Sequence, residues 1–129
     1  MPAVDTLALA LEVARLSGHT VRMEPLPSDT GQPPLVIVQD ASPNPVRNGP
    51  ARAAVSTQIA VSVVARGRAE CTEAAEAVLN AFIHGAGAYA TGHLVRAAPD
   101  SLPRFVPQVV LEADGLFQKN MMLAVVARP

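Results

Sequence analysis

Apolar residues recur at helical spacing from Val4 through Leu7, Ala8, Leu11 and Ala14 until Ser17 and Gly18 stop the pattern, which predicts a first helix opened by Pro2. The weak alternation from His19 to Glu24, followed by Pro25 and Pro27, predicts a short edge strand. Leu35 to Gln39 is apolar on both faces and bounded by Pro33-Pro34 and Pro43, the signature of a buried central strand. From Val55 to Arg66 strict alternation places Val55, Ile59, Val61 and Val63 on one face and Ser56, Gln58, Ser62 and Arg66 on the other, predicting the longest strand of the chain. After Gly67 the period changes. Cys71, Ala74, Ala75, Val78 and Phe82 share one half of a helix spanning about 68–84, with Glu70, Glu73, Glu76 and Asn80 on the other half.

Gly85-Ala86-Gly87 ends this helix, and Gly92 to Ala97 predicts a short strand before Pro99. Two β-prone segments, Phe105 to Ala113 and Leu116 to Ala127, flank Asp114-Gly115, a dipeptide suited to a type I′ turn, so a C-terminal β-hairpin is expected. The order is one helix, three strands, a second helix and three strands, with no repeat and no dividing linker. It predicts a single α+β domain over residues 1–129: one mostly antiparallel sheet with both helices packed on one face.

Between Asp40 and Ala53 lie Pro43, Pro45 and Pro50 together with Asn44, Arg47, Asn48-Gly49 and Arg52. This mixture suits neither a helix nor a central strand and predicts a long exposed loop. Loops of that length in compact domains are usually functional or disordered. The functional expectation is that Asn44, Arg47, Asn48 and Arg52 contact a neighbouring subunit or face a lumen.

Composition narrows the chemistry. Half of the 129 residues are hydrophobic but 3% are aromatic, so the core must rest on Val, Leu, Ile and Ala, and platforms for stacking bases or flat cofactors are scarce. The net charge is -1, with ten basic and eleven acidic residues and no run of like charge, which argues against a nucleic-acid-binding field. The apolar runs fall short of the ~20 residues needed to cross a bilayer, and Leu7 to Leu11 is too short for a secretory leader, so synthesis in the cytoplasm with no membrane partner is expected.

The single cysteine, Cys71, excludes an intramolecular disulfide and reads as a small buried hydrophobe. His19, His84 and His93 are scattered without metal-ligand spacing, and Glu70, Glu73 and Glu76 read as a solvated helix face. No nucleophile elbow, phosphate-binding loop or zincin helix is present. No catalytic residue, metal or cofactor is therefore expected, and the chain reads as a non-enzyme.

Several segments carry a family resemblance: the N-terminal helix, Pro34-Leu35-Val36-Ile37-Val38-Gln39, the strand Gln58 to Ala65 running into Arg68-Ala69-Glu70, the helix with Ala74-Ala75 and Ala77-Val78-Leu79, and the final Val125-Val126-Ala127-Arg128-Pro129. Together they cover most of the chain. The succession resembles the tail terminator and tail completion proteins of siphophages and of gene transfer agents.

The resemblance implies a virion protein at the head-proximal end of a tail. Six copies would form a ring that caps the major tail tube protein, stops its polymerisation and offers a surface to the head-completion or connector protein. DNA would pass through the lumen without specific binding. Such a ring needs two different complementary patches on each subunit, for which the second helix, the sheet edges and the 40–53 segment are the candidates. Two other readings stay open: a head completion or neck connector protein, and a small cytosolic ligand-binding or enzymatic α+β domain.

Overall fold

A computed structural model describes residues 5–23, 34–41, 46–48, 54–106 and 115–129. The first helix, α1, is Thr6–Arg15. It starts inside the expected Pro2 boundary because Asp5 caps it: the Asp5 carboxylate accepts a hydrogen bond from the Ala8 N–H at 3.1 Å. Its innermost residues are Leu9, Ala10, Val13 and Ala14, whereas Leu7 and Ala8 are only half-buried. Of the expected stripe, Leu11 and Ala14 are buried and Leu7 and Ala8 half-buried, while Leu9, Ala10 and Val13 join the core beside them. The segment is apolar on nearly every side, so spacing alone admits several faces and packing selects one.

The strands are β1 (Thr20–Arg22), β2 (Leu35–Asp40), β3 (Val46–Asn48), β4 (Ala54–Arg66), β5 (Gly87–Ala88), β6 (His93–Val106) and β7 (Leu116–Arg128), with α2 (Arg68–Ile83) between β4 and β5. They form one sheet in the order β1-β2-β4-β7-β6-β5, with β3 also paired to β4. Among the described pairings only β1 with β2 is parallel. The fold is α+β with a mostly antiparallel sheet, as the pattern predicts, and β1 is an edge strand.

Three features differ from the expectation. Val46–Asn48, expected within a loop, runs antiparallel to β4 with Val46 opposite Ser56 and Asn48 opposite Ala54. It lies on the same side of β4 as β2, which pairs as far as Asp40 opposite Ile59, after which the Ala41 N–H donates to the Gln58 carbonyl at 2.9 Å. The long strand β4 therefore offers more edge than β2 can fill, and the chain returns to that edge beyond Ala41. The prolines flank this strand instead of interrupting it.

Second, the two strands expected at 92–97 and from Phe105 onward are one strand, β6, which at 14 residues exceeds β4 at 13. It passes through Pro99 and Pro103 because its register against β7 shifts between Leu94 and Arg96, between Pro99 and Ser101, and between Ser101 and Arg104. Such bulges bend a strand and increase its twist. Where one leaves the Met122 N–H without a ladder partner, the Ser101 hydroxyl accepts it at 3.2 Å.

Third, β6 and β7 do form the C-terminal antiparallel pair, but in another register. A two-residue turn at 114 and 115 would set Val106 opposite Leu123, and its observed partner is Gln118. More residues lie on the β6 side of the connection than that turn leaves. Residues 107–114 are outside the described set, and Gly115 adopts a left-handed φ of 77°.

Both helices lie on one face of the sheet. Val36 and Val38 of β2, Ile59, Val61 and Val63 of β4, and Met121, Leu123 and Val125 of β7 meet Leu9 and Val13 of α1 and Ala74, Ala75, Val78 and Phe82 of α2 in one cluster. Burying Cys71, Ala74, Ala75, Val78 and Phe82 follows the expected face of α2. Phe82 is the largest fully buried side chain, in keeping with a core of aliphatic residues.

Candidate functional site

The described residues bring no catalytic cluster together. No group of three or more His, Cys, Asp and Glu side chains able to hold a metal occurs among them, and no helix is long and apolar enough to cross a membrane. His19 precedes β1, His84 follows α2 and His93 begins β6, within the strand expected from Gly92. Cys71 is fully buried, with its thiol directed at the carbonyls of Val63 (3.4 Å) and Phe117 (3.5 Å). Burial pushes its pKa above the ordinary 9.0, which keeps the sulfur protonated and a poor nucleophile.

The surfaces are more informative. Beside α2, the rings of Phe105 and Phe117 meet edge to face at 6.3 Å. Arg68 lies 4.1 Å above the Phe105 ring and Lys119 lies 4.6 Å from it, so both cations shield aromatic surface at the end of the β6–β7 pair. At the other end, Glu12 of α1 accepts hydrogen bonds from the backbone N–H and the hydroxyl of Thr91, tying the helix to the turn before β6. Tyr89 donates to the Gly85 carbonyl, and its pKa is raised by burial and then by the nearby Glu12 charge.

The sheet face away from the helices follows from the register. Residues alternating with buried Met121, Leu123, Val125 and Ala127 lie on it, as do their partners in β4 and β6. Its centre is small or neutral: Ala60, Ser62, Asn120, Met122 and Ala124. Because Ala124 is short, the Gln58 amide reaches across β7 to Asp100 at 2.8 Å. At its ends stand four exposed arginines, Arg66 opposite Leu116, Arg104 opposite Asn120, Arg96 opposite Val126 and Arg128 opposite His93. Among the described residues, no carboxylate forms an ion pair with any of the four.

The outer face of α2 has the opposite character. Glu73 and Glu76 are exposed there and Glu70 is half-buried beside them, with small Ala69 and Ala77 between. The outer face of α2 and the open sheet face thus carry excess exposed charge of opposite sign, with Asp100 standing among the arginines of the latter. Sequence reading missed this basic face, since its arginines come from three strands and share a side only through the ladder register.

Of the residues proposed for the 40–53 segment, Arg47 and Asn48 fall in β3, where the backbone pairs with Val55 and Ala54. Asn44 and Arg52 lie outside the described residues.

No protein-family model matches this chain, and no curated protein matches it in sequence. Among solved structures it is similar to a chain of the virion of a native gene transfer agent particle, with a TM-score of 0.60 and 15% identity over 95% of this chain and 92% of that one. At that identity the likeness defines a shared fold.

Proposed function

We propose that this chain is a structural subunit of a tailed-phage-type virion, and within that class a tail terminator: a ring, with six copies, at the head-proximal end of a tail tube. The carrying observation is the mutual, nearly full-length correspondence of fold with a subunit of a gene transfer agent virion. In this reading one face of the ring caps the major tail tube protein and the other meets the head-completion protein, while DNA passes through unread. A non-enzymatic role agrees with a buried, protonated Cys71 and dispersed histidines.

The segment bearing Asn44, Arg47, Asn48 and Arg52 suits an inter-subunit contact, because Val46–Asn48 extends the sheet edge beside β4. A sheet edge can continue its pairing into a neighbour.

The test is polymerisation of the cognate tail tube protein with and without this chain, with tube lengths measured by electron microscopy. Capping gives shorter tubes bearing extra density at one end. Unchanged lengths together with binding to a portal-side protein would instead assign the chain to the neck.

A further inference from the structure

We propose that copies of this chain associate head to tail, the acidic outer face of α2 on one copy docking against the arginine-rimmed open sheet face of the next. The partner is thus a second copy of the chain. Ring closure rests on the assembly role proposed above, but the pairing of faces rests on the charge pattern alone.

Three observations lead to it. The arginines of the open face have no ion-pair partner among the described residues, and neither do Glu73 and Glu76. Within a net charge of -1, these two faces therefore carry opposite excess charge, with Asp100 the carboxylate on the open face and Arg15 and Arg68 the exposed cations of the helical layer among the described residues. Two like faces brought together would repel, which disfavours a symmetric dimer, whereas unlike faces attract. The attraction joins two different patches, the heterologous contact from which rings are built.

Relief agrees with charge. Ala69 and Ala77 lie beside the glutamates on α2, and Ala60, Ser62 and Ala124 share the middle of the open face with Asn120 and Met122. The alanines and the serine lower the relief of both faces, while Met122 and Asn80 stand out from them. Arg66 and Arg104 stand toward the end of the sheet from which α2 departs, the same end as Glu73 in the first half of that helix, with Glu76 at its middle. Rotation about an axis along the strands keeps every residue at its own height, which brings the Arg66 and Arg104 end of the open face to the level of the Glu73 end of α2 on the neighbour.

The experiment is sedimentation velocity over a wide concentration range, at low salt and at about 0.5 M NaCl, where screening acts within a few ångströms. Four proteins are compared: the unaltered chain, Glu73→Lys/Glu76→Lys, Arg66→Glu/Arg104→Glu and Arg66→Lys/Arg104→Lys, with circular dichroism confirming the fold of each. The unaltered chain and the Lys-for-Arg variant self-associate at low salt, and high salt weakens them about tenfold or more. Each reversal variant alone loses association by a similar factor. Their equimolar mixture recovers it, since each altered face then meets an opposite one.

A mixture that stays monomeric, or reversal variants that associate like the unaltered chain, would overturn the proposal. So would an unaltered chain that remains monomeric at low salt. If the open face instead serves DNA, Arg66→Glu/Arg104→Glu loses binding to a random-sequence duplex and mixing restores nothing, which also overturns it. The outcome is separable from the terminator reading: recovered association without tube capping upholds the paired faces and removes the terminator.

Discussion

Thr57 sits on the buried side of β4 at 5% exposure, and its hydroxyl has no hydrogen-bond partner among the described residues. A buried unpaired hydroxyl costs roughly 1–3 kcal/mol. Thr57→Val removes that cost with little change of shape, so stability should rise by about 1 kcal/mol, read as a higher denaturation midpoint at unchanged slope. Cys71 leads to a pH prediction. Its folded pKa is raised, so the folded state favours the protonated thiol; stability is fully present below the ordinary 9.0 and declines as pH rises through the higher folded value. Cys71→Ala should flatten that alkaline decline. A thiol reagent should label the unaltered protein only when it unfolds.

The fate of these residues was largely legible from sequence. Cys71 lies on the face of α2 that period 3.6 assigns to the core, and Ile59, Val61 and Val63 lie where period 2 assigns them. The innermost side of α1 was not, because a helix apolar on most sides leaves the choice to whatever it packs against.

Gly85 shows how closely the elements fit. A Cβ placed there would lie 2.2 Å from the Ala81 carbonyl oxygen, with the Tyr89 hydroxyl and a Val13 methyl each at 3.1 Å. Since the nearest atom belongs to backbone, Gly85→Ala should destabilise by about 1–3 kcal/mol, measurable by chemical denaturation. Strand β6 raises a different matter. β5 covers it only at His93 and Leu94, and among the described residues no strand pairs with its outer side beyond that. Pro99, Pro103 and three register shifts deny a flat edge to other chains, a common protection of exposed strands. Pro99→Thr/Pro103→Thr should increase aggregation on storage, followed by turbidity or dye binding, more than it changes the unfolding midpoint.

Element types were readable wherever the period was sustained, as in β4 and α2. Prolines misled in both directions: they suggested a break inside β6, where bulges accommodate them, and obscured β3, whose three residues pair because β4 has edge to spare. The Asp-Gly signal pointed correctly to an antiparallel pair, but a local turn preference does not fix the register of strands whose ladder is set by long-range packing.

At the scale of the molecule, the polarity between the α2 layer and the open sheet face was beyond sequence reading. Arg66, Arg96, Arg104 and Arg128 share a side only after the register shifts in β6: without the extra residue at Val95, simple alternation from His93 would have turned Arg96 toward the core. Resemblance across most of the chain pointed to virion assembly, and the fold corresponds over almost its whole length to a subunit of a gene transfer agent virion. Fold alone does not assign function. The sorted charges add a physical reason for an assembling role, because they suit repeated contacts between copies better than a pocket for a small ligand.

The most direct test of that role is the mass of the purified protein by light scattering over a wide concentration range, alone and with its cognate tail tube protein. The account predicts either a closed ring or a smaller species that joins tube protein into complexes of limited size. A monomer indifferent to tube protein at every concentration would contradict it.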